Sequence, residues 1–267
     1  MVLWVCNWAH FRLIYLEGVK CLLAMLIFVL GLMVGSFLNV VIYRLPRSQS
    51  VSYPPSNCPE CNTRLKPLDL LPVVSWLYLK GRCRYCSEHI STVYPATEMF
   101  TALMFLFLSF YFNGWQLVSM MVLAGILTAA AVMDYQHCII PNRLVISGFI
   151  LGVPLFFMDT GLSWKLHLLG VLAGGGPLLF LAMLTRGGMG GGDIKLAGVV
   201  GLFLGPRLVL LTLFIGSLLA GSIGIGLIML GKKGRKDTMV FGPFLAVGAF
   251  IAIIWGGRLL NWYFSRL

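Results

Sequence analysis

The chain has 267 residues, of which 59% are hydrophobic and 11% are charged, and its mean hydropathy is +0.91. This composition excludes a soluble globular domain and predicts a multi-span helical protein embedded in a lipid bilayer. The net charge of +11 is typical of a membrane protein whose cytoplasmic loops are rich in Lys and Arg. The sequence contains no basic stripe with interleaved aromatic residues, so it gives no indication that nucleic acid is a partner.

The first part of the chain divides into three segments. Residues 1–21 lack the basic start and small-residue cleavage site of a secretory signal, so we predict an interfacial segment there. Residues 22–43 form the first apolar run of about 20 residues, the length that crosses a bilayer. Residues 44–95 are polar, and five prolines between positions 46 and 67 prevent a continuous helix.

Apolar runs resume in residues 96–267, which we predict to be a helical membrane core. The predicted spans in it are 96–112, 115–133, 144–158, 166–185, 194–204, 208–230 and 240–260. The predicted fold is therefore an all-α polytopic membrane protein with about eight transmembrane helices and a small polar domain between the first and second. The run 194–204 is short, so it either extends through the preceding glycines or forms a half-helix.

Two aspartates stand out in this apolar core: Asp134 closes the run 115–133, and Asp193 follows the glycine-rich residues 187–192. Two predicted spans separate the polar domain from Asp134, and two more separate Asp134 from Asp193, so all three lie on one side. The other side holds six of the twenty Lys and Arg residues: Arg12, Lys20, Lys165, Arg207, Arg258 and Arg266. The positive-inside rule therefore places both aspartates and the polar domain at the cytoplasmic face.

An ionisable side chain in a membrane segment is expensive and marks a functional site. We hypothesise that Asp134 and Asp193 form one catalytic pair for peptide hydrolysis, because two carboxyl groups held close together share a proton and can act as base and acid. The glycines before Asp193 allow the backbone of a substrate strand to approach closely.

The residues alone leave other interpretations open. Asp193 could cap a helix that begins at Ile194. Asp134 could pair with Arg143, and Lys195 is interpreted as an interface anchor. The glycine run is not followed by Gly-Lys-Ser/Thr, which disfavours a phosphate loop. Two alternative functions are an ion-coupled membrane transporter that uses the two aspartates and a non-catalytic assembly scaffold.

The polar domain contains two C-x-x-C pairs separated by 21 residues: Cys58, Cys61, Cys83 and Cys86. This spacing is typical of a four-cysteine zinc site, which is structural because it leaves no open position for water. Disulfides are the alternative, but the reducing cytoplasm disfavours them. Zinc would supply folding free energy to a segment with few large apolar side chains. We predict that the other cysteines, Cys6, Cys21 and Cys138, are unpaired.

Several motifs resemble those of the prepilin peptidases of type IV pilus, type II secretion and competence systems, and they occur in the same order along the chain. Residues 35–46 resemble the first-span signature of that family, and the two C-x-x-C pairs resemble its cytoplasmic metal-binding loop. The remaining matches are Tyr94-Pro95 with Glu98, Asp134 with Pro141, Gly190-x-Gly192-Asp193, and Phe241-Gly242-Pro243-Phe244.

The resemblance implies an aspartic endopeptidase of the bacterial inner membrane that cleaves the leader of prepilins or pseudopilins after a glycine, at the cytoplasmic face. It implies Asp134 and Asp193 as catalytic residues and Gly190 and Gly192 as their supporting loop. Many family members also methylate the new N-terminal amine with S-adenosylmethionine, and the presence of all four cysteines favours this bifunctional form. Four acidic residues are candidates for binding the basic leader: Glu60, Asp69, Glu88 and Glu98.

Overall fold

Helices make up almost all of the regular structure. The computed structural model describes residues 2–158, 163–185, 188–232, 234 and 240–266, with the backbone alone for residues 2–21. A 3-10 turn covers Pro67–Leu70, and the described residues contain no strand. The helices are α1 (Val2–Arg44), α2 (Val74–Tyr78), α3 (Val93–Ser109), α4 (Gly114–His137), α5 (Asn142–Met158), α6 (Trp164–Leu184), α7 (Gly191–Met229) and α8 (Gly242–Phe264).

The described residues include five helices that are long and apolar enough to cross a membrane: Leu22–Arg44 within α1, and α4, α6, α7 and α8. Helices α3 and α5 are equally apolar but have 17 residues each. The chain is therefore a multi-pass membrane protein, as its composition predicts. Helix α1 also includes residues 2–21 without a break, whereas the sequence predicts a separate interfacial segment before the first span.

Helix α7 is interrupted at Gly205, whose φ of 75° and ψ of 175° are not helical, and Pro206 follows. A straight helix would separate Ala197 and Val209 by about 18 Å, yet both lie against Gly174 of α6. The chain therefore turns back at Gly205, and α7 is a hairpin of two arms, 191–204 and 206–229. With the arms counted separately, the part of the chain that the structure describes has eight apolar helical segments, in agreement with the prediction of about eight.

By its internal contacts the chain divides into two compact units. The first comprises Met1–Phe37 and Ser56–Phe112 and contains the cysteine-rich segment. In it, α1 and α3 approach closely at small residues: Gly31 lies against the backbone of Ala102, and Gly35 against that of Glu98. Glycines at helix crossings allow the van der Waals contact that stabilises helix pairs in a membrane.

The second unit comprises Leu38–Pro55 and Asn113–Leu267 and contains both aspartates. Its centre is the first arm of α7, in which every residue from 196 to 205 is buried. This arm contacts α6 so closely that Gly201 lies against the backbone of Gly170. Helix α8 packs on the second arm through Gly248, which lies against the carbonyl oxygen of Thr212. These close crossings hold the ends of α4, α7 and α8 in place around the aspartates.

Candidate active site and metal centre

Asp134 lies in the last turn of α4 and is only 5% exposed. Its Oδ2 accepts a hydrogen bond of 2.7 Å from the backbone N–H of Gly242, at the start of α8. Helix α4 ends at His137, because Cys138 adopts a left-handed conformation and donates its N–H to the Asp134 carbonyl at 2.8 Å. Among the described residues the one salt bridge joins Arg84 and Asp69, so the structure does not show the alternative ion pair of Asp134 with Arg143.

Asp193 lies in the first turn of α7, and its carboxyl group is within electrostatic range of Asp134. The N-cap of this helix is Gly190, so the interpretation of Asp193 as the N-cap of a helix beginning at Ile194 is wrong. The helix begins at Gly191, about one turn before Ile194. The side-chain Oδ1 of Asp193 is buried and has no hydrogen-bond partner among the residues that the structure describes. It is a free carboxyl oxygen inside the site.

The segments that carry the two aspartates touch each other. A Cβ on Gly192 would lie 2.9 Å from the Cβ of Ile140, which belongs to the loop after α4. Next to this contact, Lys195 donates a hydrogen bond of 2.8 Å to the side-chain oxygen of Asn142, the first residue of α5. Lys195 therefore links α7 to α5 by a specific bond, in addition to any role as an interface anchor.

Gly192 and Gly191 provide a matched pair for testing this contact. Alanine at Gly192 would clash with Ile140, whereas a Cβ on Gly191 would meet nothing within 4 Å. We expect G192A to lower the cleavage rate at least about tenfold, because small displacements of catalytic groups have large effects, and G191A to leave it within about twofold. Initial rates on a prepilin peptide would measure this. Equal activity of the two variants would contradict the described contact.

The four cysteines form two loops of the same geometry. In the first, the N–H of Cys58 donates to Thr63 at 3.0 Å, and Asn62 adopts a positive φ of 54°. In the second, the N–H of Cys83 donates to Glu88 at 2.8 Å, and Ser87 adopts a φ of 61°. Each loop thus places two sulfur atoms on its inner side, as a shared metal ion requires.

The sulfur atoms meet the geometric requirement of a metal site. All four lie within 4.8 Å of one another, and the Sγ atoms of Cys58 and Cys86 are 3.9 Å apart. Tetrahedral zinc with Zn–S bonds of about 2.3 Å requires sulfur separations of about 3.8 Å. The four residues can therefore hold a metal ion, and four cysteine ligands in this arrangement fit zinc.

The protonation of the thiols supports the same conclusion. Hydrogen bonds from the side chain and backbone of Thr63 lower the pKa of Cys61 to about 6. A hydrogen bond from the Glu88 backbone acts to lower the pKa of Cys86, but desolvation and the neighbouring thiols raise it to about 12. Four thiols this close lose their protons together only when a cation neutralises them, which is what zinc binding does.

A polar cluster braces the second cysteine loop. Asp69, whose side chain is 4% exposed, accepts hydrogen bonds from Arg84 at 2.7 Å and Tyr85 at 3.0 Å. Burial acts to raise the pKa of Asp69, but the Lys66 amide, Tyr85 and Arg84 together hold it below its usual value. Since Arg84 and Tyr85 stand between Cys83 and Cys86, Asp69 fixes the orientation of this loop.

Glu98 is also occupied within the chain. It is buried and accepts a hydrogen bond of 2.7 Å from the backbone N–H of Val73. Of the four acidic candidates for leader binding, Asp69 and Glu98 are thus engaged in internal contacts, and Glu60 and Glu88 are exposed.

Removing one sulfur ligand should release the metal. We expect C58S to lose most of its bound zinc and to make residues 56–92 sensitive to proteases, because a short polar segment depends on the metal for folding. Zinc content by mass spectrometry and limited proteolysis would measure both effects. Cys138 is a free, exposed cysteine outside the cluster, so C138S is the control and should retain its zinc. Equal zinc content in the two variants would refute the site.

Three contacts of the site were not expected from the sequence: those of Gly242 with Asp134, Ile140 with Gly192, and Asn142 with Lys195. The motif Phe241-Gly242-Pro243-Phe244 stands out in the sequence, but nothing in it indicates a bond to an aspartate 108 positions earlier in the chain. A hydrogen bond donated by a backbone amide does not depend on the residue type, so the sequence cannot predict it. Only the structure shows that the amide of Gly242 binds the carboxyl group of Asp134.

Two family models match the chain. Residues 29–112 match the bacterial peptidase A24 N-terminal domain, which covers the cysteine-rich segment. Residues 121–225 match the type IV leader peptidase family, and this range includes both aspartates.

Curated relatives match over most of the chain. A prepilin leader peptidase/N-methyltransferase of Bacillus subtilis (strain 168) is 33% identical over 89% of this chain and 96% of its own length. The protein of the same name from Aeromonas hydrophila is 33% identical, covering 94% of this chain and 97% of the relative. That of Myxococcus xanthus (strain DK1622) is 38% identical over 80% of this chain and 65% of the relative. No solved structure matches the chain.

Proposed function

Because this chain belongs to the type IV leader peptidase family, we propose that it cleaves the leader of prepilins or pseudopilins after a glycine, with Asp134 and Asp193 as the catalytic pair. One observation supports the pair above all others. The buried carboxyl group of Asp134 and the unpartnered Oδ1 of Asp193 come from two different helices and lie within electrostatic range. Neither a structural ion pair nor a helix cap accounts for this arrangement.

The chemistry follows from two carboxyl groups that share one proton. One carboxylate takes a proton from a water molecule, and the resulting hydroxide attacks the scissile carbonyl carbon. The other carboxyl group gives its proton to the carbonyl oxygen. The tetrahedral species then loses the amine, which takes up the proton held by the first group, while one hydroxyl of that species returns its proton to the second group and the carbonyl forms again. Both aspartates thereby return to their starting state.

The position of the site defines where the substrate must bind. We place Asp134 and Asp193 at the cytoplasmic face of the inner membrane, because most Lys and Arg residues lie on that side. The apolar helix of the substrate lies in the bilayer beside the enzyme, and its basic leader stays in the cytoplasm, where Glu60 and Glu88 are exposed. The backbone at the scissile bond must unwind, since a helix hides its carbonyl groups in hydrogen bonds.

Methylation of the new N-terminal amine is the second proposed activity. Its support is the name shared by the relatives, prepilin leader peptidase/N-methyltransferase. The methyl donor would be S-adenosylmethionine, which supplies an electrophilic methyl group when bound. A cavity of about 250 Å³ beside α1 and α3 is lined by five apolar residues and offers no polar group to a nucleoside. We therefore assign no residue to this cofactor.

Mass spectrometry of a substrate tests both activities. Purified protein in detergent is incubated with a prepilin, with and without S-adenosylmethionine. We expect a product shortened to the residue after the glycine in both reactions, and an added methyl group only with the cofactor. An uncut substrate would refute the peptidase and favour the transporter or the scaffold. A cut but unmethylated product would refute the second activity alone.

A further inference from the structure

We propose that the backbone amide of Gly242 is a positioning group that holds Asp134 as the base of the reaction, and that Asp193 supplies the acid proton. The inference deepens the proposed function and rests on it. It concerns the start of α8, which no part of the mechanism above uses. The two aspartates have different surroundings there, and this difference assigns their roles.

The Asp134 side is built to hold a carboxylate. Oδ2 accepts the N–H of Gly242 at 2.7 Å. This amide belongs to the start of a helix, where N–H groups have no partner within the helix and the dipole favours negative charge. The bond also fixes the orientation of the carboxyl group, so that the base has a single position relative to an attacking water molecule.

Residue 242 must be glycine for this bond to form. A Cβ there would lie 2.8 Å from Oδ2 and 3.0 Å from the Cβ of Asp134. Asp134 is 5% exposed and cannot move away from such a group without leaving the site. Helix α8 also contains Gly257, at which a Cβ would meet nothing within 4 Å.

On the Asp193 side, the described residues provide no such donor: Oδ1 is buried and accepts no hydrogen bond from them. The carboxyl group of Asp193 also lies within electrostatic range of Asp134. A buried, unpartnered carboxylate oxygen next to a second carboxylate is unfavourable, whereas a carboxylic acid can donate its proton to that neighbour. The shared proton therefore starts on Asp193.

Each proton transfer of the reaction can then be assigned to one of the two aspartates. Asp134 takes a proton from water as the water oxygen bonds to the scissile carbon, and the proton of Asp193 moves to the carbonyl oxygen. When the carbon–nitrogen bond breaks, Asp134 gives its proton to the departing nitrogen, and Asp193 recovers the proton of the oxygen. No further reactant is needed beyond water.

The decisive experiment exchanges the N–H of residue 242 for an oxygen atom, by incorporating glycolic acid at that codon. No side chain is added, and no bond within the helix is lost, because this amide lies at the helix start. We expect kcat on a prepilin peptide to fall about 10- to 100-fold, the loss typical of one preorganised donor. KM and the unfolding temperature should stay unchanged, which a merely structural role would not predict.

A substitution pair extends the test. G242A should reduce kcat at least as strongly as the ester, and G257A should leave it within about twofold. The protonated partner is identified by a diazo ester, which esterifies carboxylic acids but not carboxylates, with peptide mapping of the product. We expect the label on Asp193. Label on Asp134 would overturn the assignment.

The outcomes separate this inference from the proposed function. If D134N abolishes cleavage while the ester at position 242 retains full kcat, the positioning role of Gly242 is wrong and the catalytic pair stands. If D134N itself cleaves normally, the catalytic pair is wrong, whatever the ester shows.

Discussion

Replacing Asp134 or Asp193 by asparagine is expected to lower the rate of leader cleavage by about 10²- to 10⁴-fold, the range for loss of a general acid or base. Asparagine has nearly the same shape as aspartate but can neither take a proton from water nor share one with its partner. The double variant should be no slower than either single variant, because two groups that act as a unit are not additive. Initial rates of prepilin shortening would measure both effects.

The controls for these variants lie in the metal-binding segment. D134N and D193N should keep their zinc and their unfolding temperature, since neither carboxyl group belongs to the cysteine cluster. Rapid cleavage by D134N or by D193N would exclude the corresponding residue from the reaction.

The second large effect is a loss of folding stability when the close crossing of α6 and α7 is disturbed. Replacing Gly201 by Ala would place a Cβ against the backbone of Gly170. Unlike a side chain, the backbone of a packed helix cannot move aside. We therefore expect G201A to lower the free energy of unfolding by about 3 kcal/mol, at the upper end for overpacked sites. This is a large part of the total stability of a typical protein.

Thermal unfolding in detergent, followed by tryptophan fluorescence, would measure this loss of stability. Gly221 lies on the second arm of the same helix, and a Cβ there would meet nothing within 4 Å, so G221A is the matched control. We expect G221A to unfold at the temperature of the unmodified protein, and G201A to unfold at least several degrees lower. Equal unfolding temperatures would mean that α6 and α7 do not cross at Gly201.

The sequence alone was sufficient for properties that depend on composition and spacing. Long apolar runs predicted the membrane spans, since a bilayer accepts only segments of that length and polarity. The two C-x-x-C pairs predicted the cysteine cluster, because two residues between cysteines let both sulfur atoms of a tight turn face one ion. The predicted spans 194–204 and 208–230 were also separate, and α7 turns back at Gly205, between them.

The tertiary structure decided which groups surround each aspartate. Both residues have the same chemistry, and no pattern in the sequence assigns one as the base and the other as the acid. One accepts a hydrogen bond from the amide of Gly242, 108 positions later in the chain, and Oδ1 of the other meets no donor among the described residues. Contacts of this kind depend on where helices cross, and the crossings depend on glycines whose neighbours lie far away in sequence. Spacing along the chain carries information about local geometry, whereas the partners of a buried carboxyl group are set by the packing of whole helices.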